Sequence, residues 1–135
     1  VVYMDKTLQY ICAALGALLG FCFGELNGLF YALLAFVIID YITGLTVGCM
    51  KKELSSAIGF TGLAKKVLIF CLVALGHIID AHVLKTGAVV QSAITLFYIA
   101  NEGISITENA ANMGVPIPKK LISVLQQIKK DEEEN

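Results

Sequence analysis

The residues with chemical potential in this chain sit where polar chemistry is costly. Asp40, Asp80 and Glu102 are carboxylates inside otherwise apolar runs, and His77 and His82 flank the second of them. An acid in such a run signals a function or a specific polar partner. Metal binding fits poorly: at about 100° per helical residue His77 and Asp80 lie about 60° apart while His82 points about 160° from Asp80, so one helix cannot converge all three. Nucleophilic catalysis fits no better. Ser55, Ser56, Ser92, Ser105 and Ser123 lack a nucleophile-elbow context, and the run Gly59 to Lys66 lacks both the Walker spacing and a Ser or Thr after its lysine. No catalytic residue, metal or cofactor is therefore assigned. Cys12, Cys22, Cys49 and Cys71 lie in apolar runs without CxxC spacing, and are expected to be small buried apolar side chains rather than disulfides or zinc ligands.

The longest polar pattern lies near the fourth apolar segment. Gln91, Tyr98, Asn101, Glu102, Ser105, Glu108, Asn109 and Asn112 project into an arc of about 120° on a 3.6-residue helix, opposite Ile99, Ile106, Ala110 and Met113. Unsatisfied polar groups in hydrocarbon cost several kcal/mol each, so the stripe needs a lumen, polar partners, or an exit from the bilayer for its second half. For Asp40 and Asp80 the options are an inter-helix hydrogen bond, a wet lumen, or a near-surface position. Gly16, Gly20, Gly24 and Gly28 stand four residues apart, and Asp40, Gly44 and Gly48 repeat that spacing. Such spacing lets helix backbones approach closely, within one chain or between copies.

Membrane helices are the elements that must carry these groups. Of 135 residues 57% are hydrophobic and 16% charged, with net charge −1, and the mean hydropathy is +0.77. A soluble domain has about 25% charged residues. At about 20 residues per crossing, the length permits about four spans and little else. They are expected near residues 7–24, 28–50, 67–84 and 88–107 of a transmembrane unit covering 1–113. The fourth is marginal: its large apolar residues contribute roughly −3.5 kcal/mol against roughly +3 for Glu102. The N-terminal segment reads as mature structure, because a second apolar run follows the first almost at once. The ten cations are all lysines against eleven carboxylates, so no basic field exists for nucleic acid.

Lysine placement sets the expected orientation. Lys51, Lys52, Lys65 and Lys66 fall between spans two and three, whereas the turn between three and four holds only Lys85. The former side is expected to be cytoplasmic, together with both termini. Residues 114–135 read as a helix-breaking Gly114-Val115-Pro116-Ile117-Pro118, then a short cytoplasmic amphipathic helix with Leu121, Val124, Leu125 and Ile128 on one face. A disordered acidic tail is expected from Lys129 onward. The fold class is thus an all-α membrane protein of about four transmembrane helices plus a C-terminal amphipathic helix.

Several strings in order carry a resemblance. They are Asp40-Tyr41-Ile42-Thr43-Gly44, Leu54-Ser55-Ser56, Gly59, Gly62-Leu63-Ala64-Lys65-Lys66, Ile79-Asp80, Tyr98 to Ile106, Asn109, and Gly114 to Pro118. Together they resemble the toxin-secretion and phage-lysis holin family from about Glu25 to Ile128. The resemblance implies a phage-encoded or prophage-derived protein of the bacterial inner membrane. Such a protein accumulates as a homo-oligomer and opens a lesion through which an endolysin, or a toxin, leaves the cytoplasm. Family motif positions map onto Asp40, Gly44, Ser56, Gly62, Lys66, Asp80, Glu102, Ser105, Asn109, Gly114, Pro116 and Pro118, as structural or gating positions. A small ion-conducting channel subunit, an antiholin-type regulator and a structural membrane adaptor fit the composition as well.

Overall fold

The computed structural model describes residues 3–134; Val1 and Val2, with which the N-terminal reading begins, and Asn135, the last residue of the expected tail, lie outside them. The chain folds as five helices in order: α1 (Lys6–Phe23), α2 (Gly28–Met50), α3 (Ser56–Ile78), α4 (Val89–Asn112) and α5 (Lys119–Glu134). α3 runs on into a wider π turn over Ile79–Val83, closed by the Leu84 N–H donating to the Ile79 carbonyl at 2.8 Å. Lys6–Phe23, Gly28–Met50, Ser56–Val83 and Val89–Asn112 are long and apolar enough to cross a membrane. The architecture is all-helical, with four such spans and a C-terminal helix.

Local chemistry sets the helix ends. Asn27 Oδ1 accepts the Phe30 N–H at 3.1 Å to start α2, and Ser55 Oγ accepts the Ile58 N–H at 3.2 Å to start α3. α1 stops at Gly24, whose φ of +68° disfavours other residues, and a Cβ there would run into the His77 ring. The α4–α5 turn uses Gly114 at φ +83°, after which the Pro118 carbonyl accepts the first bonds of α5 from Leu121 and Ile122.

α4 is the central element, packed on α2, α3 and α5, whereas α1 packs mainly on α3. Leu33 and Val37 of α2, Ile69 and Val73 of α3, and Ile99 of α4 form the buried core. Phe23, Phe30 and Phe70 pack edge-to-face at its rim, with centroids 5.0 to 6.5 Å apart. This core is thin for the length of chain. No residue of α1 is buried, and Ile38, Ile42, Phe60, Val67, Leu68 and Leu75 are exposed along α2 and α3. Apolar surface of that extent would be a liability in water. In a bilayer it is the face that lipid covers.

Four features differ from the sequence reading. α3 begins at Ser56, eleven residues before the expected third span, so Lys65 and Lys66 belong to a helix and not to the connecting loop. The charged run from Lys129 to Glu134 is helical rather than disordered, because it lies along α4 and gains packing there. The inward face of α5 is Ile122, Leu125 and Ile128, while Leu121 and Val124 point outward, each 46% exposed. Cys12, Cys49 and Cys71 lie on the outer surface and Cys22 is half-buried; a small apolar side chain facing lipid needs no protein cover.

Candidate functional site

Three charged side chains from three helices meet in the bundle. Lys66 Nζ, on α3, donates to Asp40 Oδ2 of α2 and to Glu102 Oε2 of α4, the latter at 2.5 Å. The carboxylate side chains are 6% and 4% exposed and the lysine 17%. Asn109 of α4 completes the set, its Nδ2 donating to Asp40 Oδ1 at 3.1 Å and to Thr43 Oγ1 at 2.9 Å. The Thr43 hydroxyl in turn donates to the Ile39 carbonyl at 2.8 Å. A carboxyl and a lysine so placed satisfy each other, which is how an intramembrane charge is normally tolerated. One cation serves two carboxyl groups.

The register shows the depth of this centre. Asp40 lies ten residues before the end of α2, Lys66 ten after the start of α3, and Glu102 ten before the end of α4. At 1.5 Å rise each group is about 15 Å from the same end of the bundle, half of a hydrocarbon core about 30 Å thick. The three spans are therefore tied together by charge well inside their length, about 15 Å from one end. Glycines open the way to it. A cleft of about 380 Å³ runs from Glu53 and Leu54 at the α2–α3 turn, past Gly44, Gly48, Gly59 and Gly62, to Asp40 and Lys66. A second cleft, of about 480 Å³, reaches the same three charges from the side of Lys65, Tyr98 and Asn101.

Asp80 does different work. It is fully buried, and accepts the Val90 N–H at 3.0 Å, the Gln91 N–H at 2.8 Å and the Thr86 hydroxyl at 2.6 Å. It caps the N-terminus of α4 from across the α3–α4 turn, where two unpaired N–H groups and the positive helix end favour a carboxylate. Gln91 ties the same corner to α1, its Nε2 donating to the Phe23 carbonyl at 2.9 Å. His82 stacks on Phe21 with centroids 5.4 Å apart, and His77 lies against Gly24.

The polar arc on α4 is thus divided among partners within one chain. Glu102 and Asn109 join the charged centre, Ser105 and Asn101 line its clefts, Gln91 holds α1, and Tyr98 packs edge-to-face on Phe97. Glu108 and Asn112 are exposed near the end of α4. Gly44 faces Asn109 Nδ2, 3.7 Å from where its Cβ would be. Gly16 and Gly20 meet nothing within 4 Å, so that groove is open, whereas Gly24 is used inside the chain. Among the described residues, no buried side-chain nitrogen or oxygen lacks a partner. Reasoning on sequence missed Lys66 as the hub. The signal was present, because two intramembrane carboxylates need a cation and Lys66 was the one lysine among the family motif positions, next to an apolar segment.

Comparison with known proteins gives the context. The model of the bacteriophage holin family matches residues 17–130. The chain belongs to the bacteriophage holin family. Among relatives, a probable holin of Bacillus phage phi105 is 40% identical over 114 residues, covering 84% of this chain and 83% of that protein. An uncharacterized protein of Halalkalibacterium halodurans is 41% identical over 133 residues, 96% of this chain and 98% of its own. One from Listeria innocua is 42% identical over 134 residues, 97% and 95% of the two chains. No solved structure matches. Holins are generally non-enzymatic membrane proteins.

Proposed function

We propose that this chain is a holin in action as well as in family. It accumulates in the bacterial inner membrane as a homo-oligomer with the α2–α3 and α4–α5 turns on the cytoplasmic side, and opens a lesion through which an endolysin, or a toxin, leaves the cytoplasm. One observation carries the reading: a holin-family bundle with a thin core holds three charges well inside its spans and leaves its outer apolar surface, α1 above all, without intrachain partners. A thin core and an open surface favour association, and a charged centre flanked by clefts gives water a foothold once copies rearrange. The open Gly16 and Gly20 groove suits close approach of a second helix. Lys51 and Lys52 at the α2–α3 turn, against Lys85 alone at the α3–α4 turn, support the orientation.

The test is lysis that depends on two components. Cells expressing this chain together with a cell-wall hydrolase lacking any export signal should lyse abruptly, and cells expressing either alone should not. Continued growth of the doubly expressing cells, with both proteins present, would refute the proposal. Collapse of the membrane potential without hydrolase release would favour an ion channel.

A further inference from the structure

α5 is too charged to lie where it does if lipid surrounds the bundle on every side. It runs back along α4: Ile122 and Gln126 share a cleft with Thr107 and Ala111, Leu125 fills the notch at Gly103, and Lys129 Nζ lies 5.9 Å from the centre of the Phe97 ring. Glu132 lines a cleft together with Ala93 and Leu72. Phe97 is fifteen residues before the end of α4, about 22 Å into a core about 30 Å thick. The segment from Lys129 to Glu134 therefore lies beside the half of α4 remote from the α4–α5 turn, with Lys130 and Glu134 each 65% exposed. No row of six charges can face hydrocarbon there.

The bundle has two unlike sides. The large exposed apolar residues of the spans belong to α1, α2 and α3, and α4 contributes only Val89 at its first turn. On the other side lie the outward face of α5, with Gln126, Gln127, Lys130 and Glu133 and, in its first half, Leu121 and Val124, and the exposed Lys65 of α3. Lys65 lies nine residues into its helix, about 14 Å deep. Its cleft shares Leu72 and Tyr98 with the cleft that Glu132 lines, so the two clefts adjoin on this side of the bundle, with Lys65 in one and Glu132 in the other.

We propose that this α5 side is the surface each copy turns to the aqueous lumen of the assembled lesion, with α5 still docked on α4. α1, α2 and the outer face of α3 then meet lipid or neighbouring copies. The inference rests on the lesion reading above and goes beyond it. Gln91, Glu102 and Asn109 of the α4 polar arc are spent on contacts inside the chain, and the lumen is lined chiefly by the C-terminal helix.

The experiment uses the full chain with its four cysteines replaced by serine, and single cysteines introduced as Glu133→Cys on α5 and Ile38→Cys on the exposed face of α2. Current through planar bilayers is recorded before and after adding a cationic, membrane-impermeant methanethiosulfonate. Modification at position 133 should shift the permeability ratio toward anions by about twofold or more, as charged rings do in pores, and modification at position 38 should leave it unchanged. A second variant, Phe97→Cys with Lys129→Cys bridged by a short bismaleimide, should still pass current, because α5 need not leave α4. No shift at position 133, or closure on bridging with current retained in the unbridged variant, overturns the lumen assignment alone. If the cysteine-free parent passes neither current nor protein-sized markers, the lesion reading fails and the inference falls with it.

Discussion

Replacing Lys66 with methionine keeps the length and the apolar stem and removes the one cation between Asp40 and Glu102. The two carboxyl groups stay behind with exposures of 6% and 4%, and Asn109 donates to Asp40 but not to Glu102. Removing one member of a buried ion pair costs about 3–5 kcal/mol, because the partner remains desolvated and uncompensated. The clefts beside the centre admit water and relieve part of this, which places the expected loss near about 3 kcal/mol, or about two orders of magnitude in the folding equilibrium. Adding Asp40→Asn and Glu102→Gln to Lys66→Met should restore at least half of the loss, since a neutral set leaves no orphan charge. The assay is reversible unfolding in bicelles, followed by helicity and by tyrosine absorbance. A Lys66→Met protein within about 0.5 kcal/mol of the parent, or a triple variant no better than the single one, would refute the view that the charges tie α2, α3 and α4 together.

Other expectations follow from the same contacts. Asp80→Ala removes three hydrogen bonds at the start of α4 and should cost about 1–3 kcal/mol in the same assay. Asp80→Asn, which keeps one carbonyl acceptor, should cost less. Gly103→Val places its branch on Leu125, already 2.6 Å from a bare Cβ, so α5 should detach and residues 119–134 should become sensitive to protease in detergent while α1 to α4 stay folded. Gly76→Ala meets the Gln91 backbone at 3.1 to 3.2 Å, which cannot swing away, and should destabilise by about 1–3 kcal/mol. Gly16→Leu meets nothing within the chain; stability of the single chain should change by less than about 0.5 kcal/mol, while chemical cross-linking between copies falls.

The helical membrane class was legible because apolar run lengths report span number directly, and four spans emerged where four runs stood. The start of the third was not legible. Lys65 and Lys66 look like loop residues when hydropathy is read one residue at a time, and only the two carboxylates across the bundle make Lys66 tolerable inside a span. The polar arc on α4 was legible as a pattern, but its partners were not, since they come from residues 40, 43 and 66 on two other helices. Asp80 illustrates the same limit: its sequence setting looked like that of an intramembrane acid, yet the α3–α4 turn, with Gly87 at φ +75°, brings it over the N-terminus of the next helix. The docking of α5 was the least legible. Its charged end argues for solvent, and only Gly103 on α4 makes room for Leu125.

The most direct measurement is graded release from liposomes containing the purified chain and loaded with potassium ions, a small dye and a folded cell-wall hydrolase. All three should escape together once the protein-to-lipid ratio passes a threshold, with active hydrolase recovered outside. Loss of ions and dye with the hydrolase fully retained, at every ratio tested, would contradict a protein-sized lesion.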